Sequence, residues 1–184
     1  MKTCGVLALQ GDFEAHCRAL ERAGAEAVEV RTRADLDRCA SLIIPGGEST
    51  TMLNLIEEEG LLDPLRKFAD LHPVYGSCAG AILLAREVSH PPQPSLGLLD
   101  IAIERNAYGR QVDSRISKID APDGQMEAVF IRAPIIRLVG KAVRTLASYQ
   151  GDPVWVEQGR HMATTFHPEL TGDVRVHRRL IEKS

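Results

Sequence analysis

His72-Pro73-Val74-Tyr75-Gly76-Ser77-Cys78-Ala79-Gly80-Ala81-Ile82-Leu83-Leu84-Ala85 is the stretch from which the fold can be read. Val74-Tyr75 has the character of the end of a buried strand, and residues 81–85 that of the start of a helix. Between them lies Gly-x-Cys-x-Gly, the cysteine form of a nucleophile elbow, in which a sharp strand-to-helix turn lifts one side chain above a sheet. A Cβ at Gly76 or Gly80 would meet neighbouring backbone in so tight a turn. Cys78 then stands at a helix N-terminus, where partial positive charge favours the nucleophilic thiolate. The alternative is a buried cysteine in an ordinary tight turn.

Around this stretch, strand-like and helix-like segments alternate for about the first ninety residues. Val6-Leu7-Ala8-Leu9 reads as a strand covered on both faces. Gln10-Gly11-Asp12 is a turn with Asp12 as helix N-cap, a loosely periodic helix runs over 13–23, and Gly24 stops it. A second strand is expected over 27–30, a short helix or turn over 35–40, and a buried strand at Leu42-Ile43-Ile44. That strand ends in Pro45-Gly46-Gly47-Glu48-Ser49-Thr50-Thr51, followed by helices over 52–59 and 61–71. The glycines of this second strand-to-helix turn can present backbone N–H groups to an anion. An ordinary βα loop is the equal alternative.

Such alternation predicts an α/β fold: three layers, α/β/α, around a mainly parallel sheet. Active sites in these sheets lie beyond the carboxyl ends of the strands, where the loops at Gln10, Gly47 and Cys78 all fall. After a proline-rich loop over 89–95 the pattern changes. Strands are expected over 98–105, 128–134, 143–149, 154–157 and 162–166, the last three joined by hairpin-like separators. They predict an antiparallel C-terminal extension of the sheet, closed by a helix over 170–183 that starts near Thr171 or Asp173.

With 184 residues, 44% of them apolar, the chain suits one domain spanning 1–184. The apolar runs are too short to cross a bilayer. A net charge of −3 without a long basic run gives no sign of nucleic acid as a partner. Residues 1–9 lack the longer apolar stretch of a secretory signal, so a cytoplasmic setting with reduced thiols is expected. Cys4, Cys17 and Cys39 read as small apolar core residues, and their spacing does not suggest a metal site.

Phe166-His167-Pro168-Glu169-Leu170 follows the last strand. Pro168 argues for an extended segment, which projects His167 and Glu169 to one side. A histidine beside a carboxylate is an activated base, because the carboxylate fixes the tautomer and stabilises the imidazolium. Alone, His-x-Glu would read as two exposed loop residues; its weight comes from Cys78, which needs a base. His16, His72, His90, His161 and His177 lack such a context and read as surface or packing residues. The expectation is a Cys78–His167–Glu169 triad for attack on a carbonyl, with the Ala79 N–H as one oxyanion donor and Gly47 as the second.

Gly-Ser-Cys-Ala-Gly at Cys78, with Phe-His-Pro-Glu downstream, resembles the class I (triad) glutamine amidotransferases. Within them the chain is similar to the glutaminase subunits of pyridoxal 5′-phosphate synthase. The similarity is carried by 6–11 (Val-Leu-Ala-Leu-Gln-Gly), 45–51, 104–106 (Glu-Arg-Asn), 108–111 (Tyr-Gly-Arg-Gln) with the run through Asp113-Ser114, 130–134 (Phe-Ile-Arg-Ala-Pro) and 166–170. The resemblance implies hydrolysis of L-glutamine to glutamate and ammonia, and passage of the ammonia through a protein tunnel to a separate, barrel-shaped synthase subunit in a hetero-oligomer. It implies no cofactor and no metal. Cys78 would be the nucleophile, and His167 and Glu169 the relay. Gly47, Glu48, Ser49, Arg105, Ile131 and Arg132 would line the glutamine site. Gln10 would lie near the partner and help complete the oxyanion hole, so the isolated subunit is expected to be weakly active. From the residues alone, Arg105 and Arg132 read as members of structural ion pairs sooner than as binding residues. Ser77 stands where threonine is more usual and keeps the hydroxyl. The final helix is shorter than the family's and ends at Ser184, which bears only on how the tail packs.

Two other readings remain at this point. One is a triad glutaminase of another pathway, which the 45–51 and 130–134 blocks argue against. The other is a redox-sensing protein whose elbow cysteine is oxidised, which would need no His-x-Glu relay.

Overall fold

The N-terminal apolar run forms β1 (Thr3–Leu7), and α1 (Phe13–Ala23) follows the Gln10-Gly11-Asp12 turn. In this computed structural model, residues 1–107 and 114–184 are described. The Tyr-Gly-Arg-Gln motif at 108–111 and residues 112–113 lie outside the described residues. Gly24 ends α1 in the left-handed conformation, with φ 93°, and donates its N–H to Glu21 O. Asp12 occupies the N-cap position, but its side chain caps nothing; its backbone N–H instead donates to Gly46 O.

The chain continues through β2 (Glu26–Val30), α2 (Arg33–Leu36), β3 (Ser41–Ile44), α3 (Ser49–Glu58), α4 (Leu62–Leu71), β4 (Val74–Ser77) and α5 (Ala79–Leu84). Later come β10 (Arg144–Tyr149), β11 (Asp152–Gln158), β12 (His161–Thr164) and α6 (Arg175–Lys183). The central sheet has seven strands in the order β10-β11-β12-β4-β3-β1-β2. β12, β4, β3, β1 and β2 are mutually parallel, while β10 and β11 are antiparallel, as the hairpin separators predict.

Alternation along the strands builds the layers. In β3, Leu42 and Ile44 face one core with Met52, Ile56, Leu65 and Leu83, from α3, α4 and α5. Ile43 faces the opposite core with Leu20 of α1 and Val176 and Leu180 of α6. Each such side chain, fully buried, contributes roughly 1.5–3 kcal/mol. The fold is therefore the expected three-layer α/β/α.

The second half departs from expectation in detail. Residues 81–85 do not open a long helix: α5 is six residues, and Ala85 already begins β5 (Ala85–Ser89). β5 pairs with β6 (Leu99–Glu104), and β6 with β9 (Ile135–Val139), in a separate three-stranded sheet. β7 (Arg115–Ala121) and β8 (Gly124–Phe130) form a hairpin of their own. The strand expected over 128–134 stops at Phe130, because the chain turns at Arg132 with φ 44°. The final helix starts at Arg175, after the Asp173 carboxylate has accepted the Arg175 N–H at 2.9 Å.

Candidate active site

Parallel pairing of β12, β4, β3 and β1 brings the carboxyl ends of four adjacent strands to one edge. The loops after them carry His167, Cys78, Gly47 and Gln10. Cys78 has φ 51° and ψ −106°, a strained conformation for a residue with a side chain. The glycines permit it. A Cβ on Gly76 would overlap the Gly80 carbonyl, and one on Gly80 would overlap the Ile44 carbonyl oxygen. The Cys78 N–H donates to Thr164 O at 2.9 Å, which fastens the elbow to β12 and leaves Ala79 as the next N–H.

His167 reaches the elbow from the end of β12. Its own N–H donates to Val129 O at 2.8 Å, and Tyr75 and Thr164 are bonded through their hydroxyls at 2.7 Å just beneath. Pro168–Leu170 is not extended but a single 3-10 turn, with the proline at its start, where no N–H is missed. That turn still sets His167 Nδ1 at 2.7 Å from Glu169 Oε1, with the Glu169 side chain wholly buried. Burial disfavours charge on His167, but the hydrogen bonds with Cys78 and Glu169, with their charges, outweigh it and lift the ring to about 10. A protonated His167 at neutral pH is the partner that stabilises a thiolate. The other thiols contrast: burial pushes Cys17 and Cys39 up to about 11.

Two hollows meet at Cys78. One, about 300 Å³, is lined by Asp12, Gly46, Ile131, His167 and Leu170, and the other, about 150 Å³, by Glu48, Ser49, Ala79, Arg105 and Asn106. Gly47, Cys78 and Arg132 belong to both. A hollow of about 340 Å³ between α2 and α4 is larger; the thiol that lines it, Cys39, is bonded to Asp35 O at 3.2 Å.

All nine expected site residues that line these hollows are therefore described: Gly47, Glu48, Ser49, Cys78, Ala79, Arg105, Ile131, Arg132 and His167. Arg105 does form an ion pair, with Glu48 Oε1 at 3.2 Å, and donates also to Thr50 Oγ1 at 3.1 Å. The Glu48 carboxylate caps α3, accepting from Thr50 N and Thr51 N; the Thr51 hydroxyl first, then these backbone bonds and Arg105 nearby, hold it below the usual carboxylate range. The Ser49 hydroxyl is engaged by Gln93 at 3.0 Å. Ile131 O lies 3.8 Å from Cys78 Sγ. Gln10 does not enter either hollow; its Oε1 accepts the Glu48 N–H at 2.9 Å and so braces the Gly47 loop.

Three residues here escape sequence reading. Of the surface and packing readings, burial holds for His16 and His177, both fully buried, but with Ser77 they also line up behind Glu169: His16 Nε2 is 3.4 Å from Glu169 Oε2. The only local signal was a histidine on the inward face of each of α1 and α6. Among the described residues, no group of three or more His, Cys, Asp or Glu is placed to hold a metal ion.

A model of the SNO glutamine amidotransferase family matches residues 6–184. The chain is 58% identical to the pyridoxal 5′-phosphate synthase subunit PdxT of Solibacter usitatus, over 100% of both chains. It is 55% identical to the subunit of the same name from Deinococcus radiodurans, over 96% of this chain and 94% of that one. A crystal structure described as a glutamine amidotransferase superposes with a TM-score of 0.93 at 48% identity, covering 98% of this chain and 97% of the other.

Proposed function

This chain belongs to the SNO glutamine amidotransferase family, and from that premise we infer that it hydrolyses L-glutamine to L-glutamate and ammonia for the synthesis of pyridoxal 5′-phosphate. It works as the glutaminase subunit beside a synthase subunit. The finer reading is that this partner is a barrel that receives ammonia through a protein tunnel, in the cytoplasm. Four free cysteines are compatible with that setting.

The chemistry assigned to the site runs in two halves. Cys78 attacks the side-chain carbonyl of glutamine as the thiolate, and the C=O electrons move to oxygen. Ala79 N–H and the Gly47 loop face the oxyanion. On collapse the C–N bond breaks, the nitrogen takes the proton from His167, ammonia leaves and a thioester remains. Thioester formation removes the thiolate charge that helped lift His167, so the neutral ring becomes a competent base. It then takes a proton from water, which adds to the thioester. Collapse of that second intermediate breaks the C–S bond, releases glutamate and restores the charged pair.

Glu48, Ser49, Arg105 and Arg132 line the hollow suited to the α-amino and α-carboxylate groups of glutamine, and Ile131 lines the other hollow that opens at Cys78. Charge complementarity supports this: a zwitterion can exchange with the Arg105–Glu48 pair without leaving either charge alone.

The observation that carries the reading is the buried His167–Glu169 bond of 2.7 Å beside the strained Cys78. Glutamate release from glutamine, measured with and without the synthase subunit, tests it. Release should be weak alone and strong with the partner, and Cys78→Ala and His167→Ala should each abolish it. Full hydrolysis by either variant would sink the triad.

A further inference from the structure

We propose that His16 is a positioning residue for the hydrolysis, setting the N–H edge of its ring against the second carboxylate oxygen of Glu169, with His177 and Ser77 fixing its tautomer. The proposal rests on the triad reading above and extends it one layer inward.

Glu169 Oε1 is taken by His167, while Oε2 is buried and has no hydrogen-bond partner among the described residues. A buried carboxylate oxygen left alone costs far more than a surface one. The polar group that approaches it is His16 Nε2 at 3.4 Å. His16 Nε2 is also 2.9 Å from Ser77 Oγ, and His16 Nδ1 is 2.9 Å from His177 Nε2. The Tyr75 ring, 6.0 Å away and edge-on, packs against the same imidazole.

Two neutral arrangements are open to this chain. If His16 carried its hydrogen on Nδ1, it would donate to His177 Nε2. His177 would then bear its own N–H on Nδ1, a buried atom with no partner, and the His16 Nε2 lone pair would face the Glu169 anion. If His16 carries it on Nε2, that N–H donates to Ser77 Oγ at 2.9 Å and sets the positive edge of the ring 3.4 Å from Glu169 Oε2, and His177 Nε2–H donates to His16 Nδ1. What remains unpartnered is a bare lone pair on His177 Nδ1, less costly than an orphaned N–H. The second arrangement wins on both counts. Neutrality of the two rings follows from burial, which holds His16 well below 6.5 and His177 at about 4.

The consequence is mechanical. Glu169 sits between two imidazoles from different layers, His167 on the catalytic side and His16 on α1. With Oε2 held, Oε1 keeps its aim at His167 Nδ1, and the His167 ring keeps the face it presents to Cys78.

The test uses the complex with the synthase subunit and glutamine as substrate. His16→Leu should lower kcat roughly 10-fold or more, the weight of one buried polar contact with a charged group, with KM for glutamine within about twofold of wild type. His16→Gln, which can return an N–H near the Nε2 position, should restore most of the loss. In the wild-type protein, ring ¹⁵N shifts should show His16 protonated on Nε2 and bare on Nδ1. The proposal is overturned if folded His16→Leu keeps kcat within about twofold, or if its defect lies in KM. It is equally overturned if the His16 ring carries its hydrogen on Nδ1, a result that needs no variant to fold. Cys78→Ala in the same assay separates the two readings: a dead Cys78→Ala beside a fully active His16→Leu removes the positioning role and leaves the triad standing.

Discussion

At the scale of the residue, the site is governed by where a Cβ cannot go. Gly46 is the instructive case. A Cβ there would lie 2.5 Å from His167 Cε1 and 3.5 Å from Cys78 Cβ, so Gly46→Ala must push the imidazole away from the nucleophile. A displacement of about 1 Å at a reacting group costs roughly 100-fold. Steady-state kinetics of Gly46→Ala should show that loss in kcat, with a nearly unchanged melting temperature; wild-type kcat would refute it. Gly80→Ala should fail differently, because its Cβ meets the Ile44 carbonyl oxygen, which is backbone and cannot swing aside. Loss of the folded state, read by circular dichroism, is expected, and a stable Gly80→Ala protein would contradict the elbow geometry. The strained turn at Cys78 was legible in Gly-x-Cys-x-Gly because the strain and the glycines that permit it are neighbours in the chain. The placement of His16 and His177 behind Glu169 was not, since nothing beside either residue points to Glu169.

At the scale of elements, α6 is tied down at both ends: Arg179 and Lys183 pair with Glu157 near its end, and Arg175 acts at its start. Arg175 donates to the carbonyls of Asp123, Gly124 and Gln125 in the β7–β8 turn and to Asp173 just before the helix. It ties the hairpin to the start of α6, which carries His177 beneath the site. Arg175→Met should cost about 1–2 kcal/mol and lower the melting temperature by about 3–6 °C, with activity at 25 °C kept. A melting temperature unchanged by the substitution would show that the hairpin is held elsewhere. The sequence expectation of a helix starting near Thr171 or Asp173 missed this arrangement. Propensity cannot distinguish a helical residue from one whose carboxylate serves the turn before the helix.

At the scale of the molecule, buried histidines set how the fold responds to pH. His16, His161 and His177 are held below 6.5, chiefly by burial, His161 and His177 to about 4. The unfolded chain binds these protons first, so stability falls as pH drops from about 6.5 towards 4. His167 is raised to about 10, so the stability it contributes is full below 6.5 and is lost as pH rises towards 10. Melting temperature should therefore peak near neutral pH and decline on both sides. His161→Asn, which can still accept the Val74 N–H that His161 Nδ1 takes at 3.2 Å, should flatten the acid limb. A melting temperature constant from pH 6.5 to 4.5 in the wild type would refute the assignment of that limb to histidines.

The sequence alone determined what depends on near neighbours: the strand–helix alternation of the first half, the elbow at Cys78, the glycine-rich turn after β3 and the pairing of His167 with Glu169. Each is set by local sterics, hydrophobic period or a spacing of two residues. Only the tertiary structure decided which strands lie side by side. β12 pairs with β4 rather than with another edge, placing Thr164 opposite Ser77 and hence His167 beside Cys78. Strand order is chosen by packing between distant segments, which competing pairings share almost equally, and no local pattern records the outcome. The same long-range packing of α1 and α6 on one face of the sheet delivered His16 and His177 to the back of Glu169.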